Sequence, residues 1–164
     1  MTKAKVNKML TSIDKKEYEM PNGTAWQQDH ARHVEFFFNK PSDDLEIVAK
    51  VLYGLQDLQI RDYAMGVMIQ GDLIQRQALY TLVNYSSGKY QKPAKTLLAL
   101  WHFEADNKNQ AGSLLSEVKN YPLADLLMRC MIANWPSESF ETMRKELHPQ
   151  VTEKIFGLQL ATTN

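Results

Sequence analysis

One cysteine, seven glycines and no net charge mark this 164-residue chain by what it lacks. A lone Cys130 cannot close an intramolecular disulfide, so a reducing compartment, the cytoplasm, is expected. The glycines form neither a phosphate-cradling loop nor a Gly-x-Ser-x-Gly elbow, which removes the commonest nucleotide-binding and hydrolase signatures. No apolar run approaches the ~18–20 residues of a membrane span, and no basic start leads into an apolar core as in a signal peptide. Nineteen basic against nineteen acidic residues argue against a protein that binds nucleic acid or a membrane surface by bulk attraction. No cofactor motif is present, and none is expected to bind.

What is present is a complete core pattern. Hydrophobic residues make up 44% of the chain and charged residues 23%, as in a globular domain. Their spacing is helical from about Thr24 to Leu147, and no segment alternates as a strand would. Thr24 opens a helix that the KPS at 40–42 ends, and Ser42 is the expected N-cap of the next, whose stripe is Leu45, Val48, Ala49, Leu52 and Leu55. A third helix runs from Leu58 to Gln70 and stops at Gly71. Asp72 then caps a fourth through Ile74, Ala78, Leu82 and Val83. The segment LLALWHFE is apolar nearly all round, which predicts a helix covered on several sides. Two further helices follow, the second carrying Leu123, Leu126, Leu127 and Cys130, and Ser137 is expected to cap the last.

Charge is unevenly placed. Residues 1–16 hold five lysines against one acid, a net +4 with little apolar periodicity, and read as a mobile basic arm. Residues 42–72 hold six acids against two basic residues, a net −4 on the first strongly periodic part, and Asp43, Asp44 and Glu46 open this acidic face. Phe36, Phe37 and Phe38 point about 100° apart on a helix and cannot share one core. With Phe37 inward, Phe36 is either covered by the arm or anchors an interface, where aromatics are enriched.

Three constellations bear on chemistry. His30 and His33, a turn apart in DHARH, could hold a metal with a distant acid, but the glutamate of a HExxH zinc site is absent. In HFEAD, His102 and Asp106 share a helix side and supply two ligands at most, Glu104 pointing elsewhere. They read as a hydrogen-bonded pair near a helix end. Arg61 projects toward Ala64, Met65 and Met68 and must meet a carboxylate or helix-end carbonyls, because an unpaired buried charge is costly. Cys130 reads as core.

LLALWHFEADNKNQA followed by YPLADLL resembles the C-terminal part of an uncharacterised bacterial family, domain of unknown function 4192. In that family a Leu- and Trp-containing helix enters a Gly-Asp-Gly turn, a small residue opens the next helix, and a Tyr-x-Leu-Ala-x-Leu-Leu phrase opens the one after. Here Asp106 stands in the turn, without the glycines, Ala111 takes the small position, and Tyr121, Leu123, Ala124, Leu126 and Leu127 match the phrase. IRDYAMGVMI, Ile60 to Ile69, is similar to an Arg-Asp segment of the family, so the likeness covers residues 58–136. It implies a helical fold and supplies no catalytic residue. Ala111, Leu115, Val118 and Pro122 also resemble the second half of a tetratricopeptide unit.

The sequence therefore predicts an all-α protein of stacked antiparallel helix hairpins, seven to eight helices in number, with a degenerate tetratricopeptide-like C-terminal half. Residues 1–20 would be a flexible basic arm and residues 21–164 one helical domain. Its expected function is non-enzymatic: a small regulator or inhibitor that binds a protein partner or a second copy of itself through Phe36, Asp43, Asp44 and Glu46. A metal-dependent enzyme using His30 and His33 is the runner-up, and a nucleic-acid binder using the N-terminal lysines comes third.

Overall fold

A computed structural model describes residues 2–18 and 24–157, and these form nine α-helices and a short 3-10 turn, with no strand among the described residues. In chain order they are α1 (Thr2–Tyr18), α2 (Thr24–Asn39), α3 (Leu45–Gly54), α4 (Leu58–Val67) and α5 (Leu73–Tyr85). After the 3-10 turn (Gly88–Tyr90) come α6 (Gln91–Glu104), α7 (Lys108–Ser116), α8 (Pro122–Ile132) and α9 (Ser137–Phe156). No described helix is long and apolar enough to cross a membrane.

The ninth helix is the correction. Residues expected as a mobile arm form α1, which packs on α3 and α5. Val6 and Leu10 are fully buried, Met9 and Ile13 partly so, while Lys3, Lys5 and Lys8 stay in water. Residues 1, 19 and 20 of the expected arm lie outside the described residues. A seam only two core side chains deep among many lysines leaves a faint periodicity, yet burying each of them stabilises by about 1.5–3 kcal/mol.

Aspartates set the helix starts. Asp44, Asp57 and Asp72 each sit just before α3, α4 and α5 in extended backbone and accept first-turn amides: Glu46 N for Asp44, Gln59 N and Ile60 N for Asp57, and Gln75 N for Asp72. Asp44, not Ser42, is the cap of α3; the Ser42 hydroxyl accepts the Asp44 amide one step earlier. Half of the acids between residues 42 and 72 thus also serve helix starts, while Asp43, Asp44 and Glu46 stay exposed.

Helix stops fall to Asp and Asn. Asp106, Asn120 and Asn134 carry φ values of 60°, 57° and 58° and stand at equal sequence intervals after α6, α7 and α8. Short polar side chains tolerate this left-handed conformation best among residues with a Cβ. The Asn107 amide reaches back to the His102 carbonyl (2.8 Å) and the Trp135 amide to that of Cys130 (3.0 Å), closing two of these ends. Pro122 follows Asn120 and opens α8, its fixed φ suited to a first turn.

α6 is the inner layer the leucines predicted, with Leu97, Leu98, Ala99, Leu100, Trp101 and Phe103 buried on successive faces. It is covered by α5, α7 and α9, and α8 packs beyond α7. α9 runs through Pro149, past the point where the periodicity is legible, because the proline is solvent-exposed while Ile155 packs with Ala31 and Tyr63. Pro136 occupies the cap position of α9; Ser137, expected there, is the first helical residue and its hydroxyl donates to Asp106 Oδ1 (3.2 Å).

The polar knot of the fold lies at the end of α6. Arg144 of α9 is 1% exposed and Glu104 2%. Arg144 Nε and Nη2 donate to Glu104 Oε2 (2.8 Å) and Oε1 (2.6 Å), and Nη1 donates to the carbonyls of Met65 (2.8 Å) and Met68 (2.7 Å) at the end of α4. The guanidinium so ties three helices with a two-pronged carboxylate contact and two carbonyls at the end of α4, of which that of Met65 also accepts the Met68 amide (3.4 Å). Arg144→Met or Glu104→Gln should each destabilise the fold by about 3–5 kcal/mol in urea unfolding, while Arg144→Met with Glu104→Leu should cost less than the sum.

Candidate functional site

Helical arithmetic puts two of the three adjacent phenylalanines inside. Phe37 and Phe38 are fully buried and Phe36 is 65% exposed. α1 does not cover it, since α1 packs on α3 and α5. Phe36 lies in the last turn of α2, Asp43 and Asp44 in the connection to α3, and Glu46 in the first turn of α3, so one end of the α2–α3 hairpin carries all four. All are exposed, with Ile47 38% exposed beside them. Two of the acids also have local work. Asp44 caps α3, and Asp43 accepts the Tyr85 hydroxyl (3.1 Å), whose titration that bond pushes up.

The two histidines of DHARH separate. His30 is 1% exposed, with its ring 4.6 Å from that of Trp26 and 5.8 Å from that of Tyr53, and it sits where a Cβ on Gly54 would be 3.1 Å away. His33 faces solvent, its Nδ1 2.8 Å from the Asp29 carbonyl oxygen. Asp29 is drawn to Lys50 (2.9 Å), a contact that lowers its carboxyl's pKa. Among the described residues no three His, Cys, Asp or Glu side chains converge on a metal position. The two histidines face different environments, and the arrangement the metal-enzyme reading needs is not formed there.

The HFEAD segment also sorts differently. His102 Nε2 meets the Tyr80 hydroxyl at 2.8 Å, Asp106 meets Ser137, and the two do not pair with each other. Glu104, the member that seemed to point away, holds Arg144. Arg61 finds Asp62 (2.7 Å) and the Tyr121 hydroxyl (3.3 Å), with its guanidinium 5.6 Å from that ring's centre, a partner set that accounts for its charge structurally. Cys130 is buried, and burial pushes its thiol up, away from the reactive thiolate.

Two features escaped the sequence reading. The first is a polar pocket in the α4–α9 contact: the Tyr63 hydroxyl donates to Glu35 Oε1 (2.7 Å), and the His148 ring lies 5.1 Å from that of Tyr63. His148 is pressed against Gly66, where any Cβ would overlap the imidazole. Its Nδ1 has no hydrogen-bond partner among the described residues. Burial lowers the His148 pKa, Glu35 opposes that and the neighbouring Arg144 adds to it.

The second feature is apolar. Ile69, Leu73 and Ile74 are 55%, 61% and 53% exposed around the turn at Gly71. Ile74, expected inside, gives its place to Gln75, which accepts the Ile69 amide (2.7 Å) and donates to the Val67 carbonyl (3.1 Å), closing the α4–α5 turn. Leu126, also expected inside, is 41% exposed, because only α6 and α7 border α8 closely. An apolar triplet flanking Gly-Asp was the available signal.

No protein-family model, curated protein or solved structure matches this chain.

Burial lowers the pKa of both His102 and His148 in the folded protein. The unfolded chain therefore takes up protons first as pH falls below the ordinary histidine value of about 6.5. Stability should be full above that value and decline below it. Chemical denaturation at pH 7.5 and 5.5 should show this loss, and His148→Gln should reduce its size; an unchanged loss in that variant would remove His148 as a cause.

Proposed function

We propose that the protein works by binding another protein, with the Phe36 end of the α2–α3 hairpin as its contact surface. The observation that carries this reading is Phe36 itself, a phenylalanine 65% exposed on a helix whose neighbouring aromatics are both buried. Large aromatic side chains are enriched at interfaces, where they supply area at little conformational cost. Asp43, Asp44 and Glu46 surround that end with negative charge, which favours a partner surface that is apolar at its centre and basic at its rim.

Further support comes from what the buried and half-buried residues do. His30, His102, Arg61, Glu104, Arg144 and Cys130 each have a packing or pairing role, which leaves none of them as a surface catalytic group. Regulation or inhibition by occupancy of a partner's surface fits a helical body of this kind, and residues 58–136, which resemble the uncharacterised bacterial family, belong to that body.

Phe36→Asp should leave the melting temperature within about 2 °C of the parent, as surface changes generally do. Affinity capture from the native host with parent and variant side by side should lose its specific partner only in the variant. Identical partners on both would place the interface elsewhere, and an unfolded variant would make Phe36 core.

A further inference from the structure

Where α1, the start of α2, the end of α3 and the 3-10 turn meet, an open cleft of about 250 Å³ is lined by Trp26, Tyr53 and Tyr90 together with Gln56. Asp14 and Asp57 border it with carboxylates and Lys89 with an ammonium. Trp26 and Tyr53 stand almost perpendicular, edge to face at 86° with ring centres 5.9 Å apart, and make a corner against which the His30 ring also packs. Asp14, Lys89 and Tyr90 continue into an adjoining hollow of about 370 Å³ along α1.

Aromatic faces attract cations through their quadrupole, and several rings around one small space are a known way to hold a quaternary ammonium. One of these rings already has a cation near it: the Lys89 ammonium lies 5.2 Å from the centre of the Tyr90 ring. Asp57 already accepts the amides of Gln59 and Ile60 and the side chain of Gln27, so it offers charge more than a free lone pair. A primary ammonium, which needs several acceptors, is served poorly by such walls, whereas a fully methylated one needs none. The corner is smaller than the ~300–1,000 Å³ of drug-sized ligand sites, which suits a head group.

We propose that this cleft binds a small methylated ammonium group, with Trp26, Tyr53 and Tyr90 as its walls and Asp14 and Asp57 as its counter-charge. Lys89 then competes with the ligand. Its side chain is exposed and can leave the Tyr90 ring without disturbing the core.

The test is a titration of the full chain with choline chloride, at ionic strength held constant with sodium chloride, followed by tryptophan fluorescence and ligand-detected NMR. Saturable binding is expected. Trp26→Leu should weaken it about 2- to 30-fold, the range of a cation–π contact, and Asp14→Asn should weaken it as well. Lys89→Gln, on an exposed side chain and so without cost to folding, should strengthen choline binding. A weaker choline affinity in Lys89→Gln would contradict competition by Lys89, and saturable binding of sodium acetate instead would mark an anion site; either result would overturn the proposal. So would the absence of saturable choline binding to the parent. Flotation with phosphatidylcholine vesicles distinguishes the sources: retention lost in Asp14→Asn assigns a lipid head group, and choline binding without retention assigns a free cation.

Discussion

Arg144 is the largest fully buried side chain among the described residues, and its charge makes the fold conditional. A guanidinium removed from water is tolerable only with its donors satisfied, and its hydrogen-bond acceptors come from helices other than its own, the Glu104 carboxylate from α6 and the Met65 and Met68 carbonyls from the end of α4, with Glu141 of α9 adding a longer ion pair at 3.9 Å. The cost of leaving any of them unpaired exceeds what a single apolar contact contributes. That asymmetry fixes where α9 crosses, and with it the His148 contact on Gly66 and the Ile155 contact with Ala31 and Tyr63.

With α4, α6 and α9 joined, the rest of the molecule is arranged around them by shorter devices. Aspartate caps start α3, α4 and α5, and left-handed Asp and Asn residues stop α6, α7 and α8, so the connections between most helices stay brief. Short connections leave the apolar residues near turns partly outside. Ile69, Leu73 and Ile74 at one turn, and Phe36 and Ile47 near another, are exposed. The candidate surfaces for partners are therefore at the ends of helix hairpins, while helix faces meet each other.

The inner position of α6 was legible because every residue from Leu97 to Phe103 except His102 is apolar or aromatic. The exposure of Phe36 was legible as an alternative from angular spacing alone. The knot was not. Glu104 and Arg144 lie forty residues apart, and an acid or a base on a helix reads as solvent-facing until the fold brings opposite charges together. Ile74 was misplaced for a related reason: Gln75 enters the interior to satisfy backbone groups at Ile69 and Val67, a demand that apolar periodicity does not record. α1 escaped because its core seam is narrow and lysines outnumber it. Pairings between distant polar groups, and shallow seams beneath charged ones, are where a period-based reading loses its signal.

Through these contacts Arg144 joins α4, α6 and α9, and helices so joined are expected to open together. Native-state hydrogen exchange reads this directly, because helices that open together exchange with a common free energy. Amides in the hydrogen-bonded interiors of α4, α6 and α9 should share one opening free energy equal to that of global unfolding. If α9 exchanges through a separate, lower-energy opening while α4 and α6 remain protected, the buried guanidinium does not couple the three helices, and the fold does not depend on it.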